Sequence, residues 1–401
     1  NGTFKSDWQW LTNIVDKIPL IDAKAPSSVA FSGEFAHLIP GHSKAVNQNG
    51  EEGVSYIDDF EGTKSTINIM NPTTWTLAST PKGALDGKAE FDKSPDDTLW
   101  INTENKDLIY NGINRALMSW FYIDQIMNNP KSTTPDHIRK DKDQLSNHFV
   151  RQIDEREIYQ NKDPYYGETT RLQTLNISYY PEERGPYNLD VSGMKSDGRL
   201  EKPESRWAGI MRKLDNTDFD KANIEYLEFW LLDPFVYNDM NKSSGKLVFN
   251  LGEISEDILK DGRISFENGL PTSNNPTVTD STIWGRVPRI QSVTNSFDNS
   301  DLEAQDLGLD GLSSEEEAAF DISYRRYVKA VTDKLDAIGR DRFNSATFSP
   351  LNDPAGDNFH HYRGSDYDEK EASILERYKY YNGMEGNSNS TSSNYSTASN
   401  N

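Results

Sequence analysis

The apolar residues of this chain gather in short, well-marked runs between long polar stretches. The densest is Asn223-Ile-Glu-Tyr-Leu-Glu-Phe-Trp-Leu-Leu-Asp-Pro-Phe235. From Ile224 to Leu232 apolar side chains fall on both parities: Ile224, Tyr226 and Trp230 on one, Leu227, Phe229 and Leu231 on the other. That pattern predicts a strand covered on both faces. Asp233-Pro234 stops it, because proline has no N–H for a ladder. Next, Leu247, Phe249 and Leu251 alternate with Lys246 and Asn250, the signature of a half-buried neighbouring strand. Leu175, Ile177 and Tyr179 alternate with Thr174, Asn176 and Ser178 and predict another, with a turn at Pro181-Glu-Glu-Arg-Gly-Pro-Tyr187. A further strand is expected from Val54-Ser-Tyr-Ile57 into Asp58-Asp-Phe-Glu-Gly62.

Helical spacing occurs in three places. Trp8, Leu11, Ile14, Val15 and Ile18 follow Ser6-Asp-Trp-Gln9, which has capping-box spacing, and Pro19 ends that run. Ile113, Ala116, Leu117, Trp120 and Phe121 predict a second helix. Phe320, Tyr324, Tyr327, Val328, Val331, Leu335 and Ile338 form the longest stripe, with Gly339 placed to close it. Together these signals predict a mainly β fold with helical insertions: an antiparallel, jelly-roll-like β-sandwich, with room for a few barrel-wall strands at its ends. The expected organisation is an N-terminal helix and loop segment over 1–50 and the sandwich over 51–290, with a long loop insertion at about 125–170. An acidic, turn-rich segment with the amphipathic helix follows over 291–350, then an extended tail over 351–401, of low complexity from 386.

Composition changes this picture in two ways. Only 34% of the 401 residues are hydrophobic, yet there are 8 Trp, 19 Tyr and 17 Phe, so aromatic rings must supply much of any core. The formal net charge of −22 repels phosphate backbones, which argues against nucleic-acid binding and against adsorption to anionic membranes. It suits a secreted or surface protein and the capture of divalent cations. With no cysteine, disulfides and thiolate chemistry are excluded, while the compartment stays open. The opening Asn1-Gly-Thr-Phe-Lys-Ser is neither an initiator methionine nor a signal peptide, so the chain is expected to be an excised piece.

The best candidate chemistry lies at Asp306-Leu-Gly-Leu-Asp-Gly-Leu-Ser-Ser-Glu-Glu-Glu317. With Asp306 as the first position of a calcium loop, Asp310, Gly311 and Glu317 fall where an EF-hand-type site needs a ligand, a bend and a closing carboxylate. Gly308 offers no oxygen at the third position, and the plain alternative is a turn whose acids favour a helix N-terminus. Asp58, Asp59 and Glu61, with Asp233, form a second candidate calcium set. Trp75, Trp100, Trp207, Trp230 and Trp284 are candidates for sugar stacking, although rings in sandwiches are more often core. A glycosidase carboxylate pair has no second catalytic feature to support it. None of the six histidines has zinc-site spacing, and no nucleophile elbow or phosphate-binding glycine loop occurs. Asp97-Thr-Leu99 and Asp280-Ser-Thr282 have the form of a short O-glycosylation acceptor.

Several phrases, in order, resemble the SprA (also called Sov) family, the outer-membrane translocon of the Bacteroidetes type 9 secretion system. They begin with Lys24-Ala-Pro-Ser-Ser-Val29, Phe31-Ser-Gly-Glu-Phe35, Tyr56-Ile-Asp-Asp-Phe-Glu-Gly62 and Arg184-Gly-Pro-Tyr-Asn188. Thr217-Asp-Phe219 with the run Asn223 to Phe235, Asn250-Leu-Gly-Glu-Ile-Ser-Glu-Asp257 and Gln305-Asp-Leu-Gly-Leu-Asp-Gly311 continue the series. Phe359-His-His-Tyr-Arg-Gly-Ser-Asp366 and Ser373-Ile-Leu-Glu-Arg-Tyr378 complete it. The resemblance implies an internal cap or pore-lining region of a giant single-chain β-barrel that exports folded cargo and supports gliding motility. It implies secreted cargo proteins and other type 9 secretion components as partners, an outer-membrane or cell-surface location, and no catalytic residues. A carbohydrate-binding module of a secreted or surface protein is the alternative from a different class.

Overall fold

The structure, a computed structural model, describes residues 2–18, 26–33, 37, 47–48, 51–52, 67–81, 112–161, 170–216, 218–220, 224–237, 245–266, 270, 278–282, 285–290, 307–319, 322–346, 348–382 and 388–389. Two compact units are distinguished: residues 1–66 with 218–226, and residues 67–217 with 227–401.

In the first unit, strand Gly2–Asp7 pairs antiparallel with Ser28–Gly33, setting Phe4 opposite Phe31. The predicted helix follows as Gln9–Val15. Ser6 is not its cap: it lies within the strand opposite Val29, and Trp8 takes the N-cap position without a side-chain bond. Thr12 is buried, and its Oγ1 accepts the Ser27 N–H at 2.7 Å. The strand expected near Val54 lies outside the described residues.

The second unit is built around two apolar clusters. Strand Ala116–Phe121, buried at every position, pairs antiparallel with Asn176–Arg184. A helix was expected at 113–121, but full burial removes the polar face that distinguishes a 3.6-residue period from a strand. Register jumps from Leu117↔Tyr180 to Ala116↔Arg184, so Pro181 and its neighbours sit in a bulge where no ladder donor is needed. The predicted turn therefore starts later, after the strand ends at Arg184.

The long helical stripe is present in two pieces. Helix Ile322–Lys334 buries Tyr324, Tyr327 and Val331 against Met118, Trp120 and Leu189, and Leu335 continues the stripe. Asp336 then caps a new helix, Ala337–Ser345, its Oδ1 accepting the Gly339 N–H at 2.9 Å. The restart changes the helical phase, so Ile338 is exposed and Gly339 does not close the first helix. A side chain at Gly339 would strike the carbonyl of Ser196, which explains the residue there.

The second cluster gathers Phe121, Ile123, Met127, Ile138, Val150, Ile374, Tyr378 and Tyr381. Its outer part comes from the stretch expected to be a loop at 125–170. Short helices Gln125–Asn128, Asp136–Lys140, Lys142–Leu145 and Glu155–Ile158 occur there, three of them capped by Asp124, Asp141 and Asp154. Few apolar residues punctuate this segment, but Met127, Ile138 and Val150 are all buried.

The expected sandwich does not occur among the described residues. Among the described residues helix and strand are mixed, and every sheet has two strands. Residues 224–232 and 247–251, read as the middle of that sandwich, belong to no sheet among the described residues, and all but the half-buried Ile224 are exposed: Trp230 is 73% exposed and Leu251 66%. The Phe229 and Phe249 rings approach to 5.3 Å. Alternation shows that a segment can bury a face, but pairing also needs neighbours for its N–H and C=O groups. Among the described residues, no helix is long and apolar enough to cross a membrane.

Candidate metal centre

The acidic motif at 306–317 folds as a turn feeding a capped helix. Gly308 (φ 66°) and Gly311 (φ 74°) take left-handed conformations that the bend requires. Ser313 Oγ accepts the Glu316 N–H at 3.3 Å, and Glu316 Oε2 accepts the Ser313 N–H at 2.9 Å, a reciprocal cap on helix Ser314–Ala319. Asp310 is fully buried: Oδ1 accepts the Leu312 N–H at 3.0 Å and Oδ2 the Tyr324 hydroxyl at 2.6 Å. Glu317, also fully buried, accepts the Ala355 N–H on Oε2 at 2.8 Å. Its Oε1 is buried and takes no hydrogen bond.

A second turn meets this one. Asp353 Oδ1 accepts the Gly356 N–H (2.9 Å) and the Asp357 N–H (3.3 Å), while Oδ2 accepts that of Asn358 (3.2 Å). Asn358 Nδ2 donates to Ser314 Oγ at 2.7 Å, and Tyr187 N–H to the Ala355 carbonyl at 2.6 Å, fixing the turn to the helix start and to the first cluster. The result brings carboxylate oxygens of Asp310, Glu317 and Asp357 within 4.8 Å of one another. Of the predicted trio, Asp310 and Glu317 are thus together, and Asp306 lies outside the described residues. A Cβ at Gly308 would fall on Asp357 Oδ2. The place of the oxygen missing at that loop position is therefore taken by a carboxylate from a distant turn. No spacing rule finds Asp357; its only signal is the acidic, turn-forming Asp353-Pro-Ala-Gly-Asp357.

Electrostatically the cluster is uncomfortable. Burial raises the Asp310, Glu317 and Asp353 carboxyls above the ordinary range, and for Glu317 the charges of Asp357, Asp310 and Asp353 add to it. Burial, then the Asp310 and Glu317 charges, also raises Tyr324. Adjacent buried carboxylates need a proton or a cation to coexist.

The other candidates do not converge among the described residues. Asp58, Asp59, Glu61, Asp97, Trp100 and Trp284 lie outside them. Asp233 Oδ1 accepts the Phe235 N–H at 2.9 Å in a local turn. Trp75 Nε1 donates to the Ile69 carbonyl at 2.8 Å, with the Arg212 guanidinium 5.8 Å over its ring. Trp207 lies under the Arg115 guanidinium at 5.0 Å. Trp230, expected in the core, is exposed. Asp280 is paired with Arg263 and with Arg289.

Sequence reasoning also missed a buried aromatic site. Tyr378 stacks on Phe121 (4.3 Å) and Tyr362 (4.7 Å), and its hydroxyl accepts the Asp124 N–H at 3.0 Å. Tyr362 donates to Asp124 Oδ2 at 2.8 Å. Arg377, fully buried, pairs with Asp368 at 2.5 Å. His361 stacks on Tyr362 at 4.4 Å, and burial, then Arg363 and His360, lowers it to about 4.

Helix Ala337–Ser345, the Asp353 turn, and Tyr362, Arg377 and Tyr378 of this aromatic site lie within residues 326–401, which match a family model described as a motility related/secretion protein. The match indicates a motility- or secretion-related protein, and such a family suggests an envelope or surface location. It supports the chain as a fragment of the SprA family. No curated protein matches the chain.

Proposed function

We propose that the chain is an internal, non-enzymatic region of a giant outer-membrane β-barrel translocon, covering or lining the path by which the type 9 secretion system exports folded proteins. The family match at 326–401 carries this reading, since it covers the segment that closes both clusters of the second unit. Two further features support it. Residues 224–232 and 247–251 present Trp230, Leu231, Leu247 and Leu251 to solvent, apolar surface that suits contact with neighbouring parts of a larger assembly. The −22 net charge keeps the remaining surface hydrated, as a wall passed by many different folded proteins requires. Its partners in this reading are exported cargo and other secretion components, and it acts by shape and contact.

The test is made in a gliding bacterium that carries the full-length protein. Phe229, Trp230 and Phe249 are replaced by serine, and cargo release and colony spreading are measured. The expected result is loss of export and spreading while the full-length protein stays in the outer-membrane fraction. Normal export and spreading would overturn the reading.

A further inference from the structure

We propose that Asp310, Glu317 and Asp357 bind one divalent cation, with Ca2+ preferred over Mg2+. The inference is independent of the secretion reading. Oxygens on a single Ca2+, each at about 2.4 Å, lie no more than about 5 Å apart. The three carboxylates meet that condition, although they come from a turn, a helix and a second turn distant in sequence. Glu317 adds a separate observation: its Oε1 is fully buried and takes no hydrogen bond, on a carboxylate that comes within 4.8 Å of the other two acids. Buried acceptors are nearly always satisfied, so an orphan carboxylate oxygen among carboxylates marks the place of a missing positive group. Gly308 adds a third, because any side chain there would displace the Asp357 carboxylate.

The donor set decides the class of cation. Three carboxylates with no imidazole or thiolate favour hard ions, Ca2+ or Mg2+, over zinc or copper. Burial of all three residues requires the ion to shed much of its water, which Mg2+ does reluctantly. A bound ion would fasten the 307–312 turn and helix Ser314–Ala319 to the 353–358 turn. The competing arrangement is a proton shared between Glu317 and Asp357.

Calorimetric titration of Ca2+ and Mg2+ into the chelator-stripped chain, paired with thermal unfolding, separates the two. The expected result is one saturable Ca2+ site with a Kd at or below about 1 mM, the range of extracellular calcium modules, at least tenfold tighter than for Mg2+. Saturation should raise Tm by about 5 °C. Glu317→Gln and Asp357→Asn keep side-chain shape and remove one repelling charge. Each should fold in chelator at least as stably as the native chain, yet lose the Ca2+ shift. Asp333→Asn, on an exposed side chain, should keep it. On the native chain, tyrosine-sensitised Tb3+ luminescence that Ca2+ displaces would support the same site without any variant, since Tyr324 bonds directly to Asp310. No saturable binding and no Tm shift would overturn the proposal in favour of the shared proton. A shift that survives in both variants would overturn it in favour of diffuse binding to the acidic surface.

Discussion

Residues 359–381 and residues 224–237 with 245–251 are both rich in rings, yet the first segment buries most of its rings while the second exposes most of them. Tyr378 is fully buried, stacked between Phe121 and Tyr362 and bonded through its hydroxyl to the Asp124 backbone. Trp230, in the more apolar of the two sequences, is 73% exposed. The difference is made by return of the chain. Strand Ala116–Phe121 and the short helices after it come back over Tyr378, whereas Trp230 has no comparable cover among the described residues. Local hydrophobicity states a capacity for burial; a second segment decides whether it is used.

The comparison can be broken by substitution. Tyr378→Ala should destabilise the chain by about 3–5 kcal/mol, measured by denaturant unfolding, because it opens a cavity in a stacked cluster. Asp368→Ala should cost about 2–3 kcal/mol by the same measurement, since it leaves the buried Arg377 guanidinium without its carboxylate. His361 gives an effect that depends on pH. Folded, it titrates near 4, below the ordinary value of 6.5, so the unfolded chain binds more protons between those limits. Stability is therefore lost as pH falls through that window, by up to about 1.4 kcal/mol per unit from this residue. His361→Gln should flatten that part of the profile. Trp230→Ala should change stability by no more than about 0.5 kcal/mol, as expected of an exposed side chain. A loss as large as that of Tyr378→Ala would remove the distinction between the regions.

Legibility in the sequence followed the same division. The stripe Tyr324, Tyr327, Val331 and Leu335 was readable because its opposite face is polar, which fixes the period. Ala116–Phe121 was misread because burial on all sides erases that contrast. Pro181 suggested a turn, but the strand accommodates it in a bulge. In the acidic motif, Asp310 and Glu317 were readable from spacing within one loop. Asp357 was not, because its approach is set by the Asp353 turn and the Tyr187–Ala355 bond, contacts between segments far apart in the chain. The sandwich was inferred from two extended runs whose pattern is real and whose pairing partners are not seen among the described residues.

Hydrogen–deuterium exchange over residues 227–237 and 245–251, compared between this chain alone and the full-length protein in outer membranes, addresses the proposed role most directly. The account predicts rapid exchange in the isolated chain and strong protection in the membrane-embedded protein, where neighbours cover the exposed Trp230 and Leu251. Equally rapid exchange in both, or protection already present in the isolated chain, would contradict it.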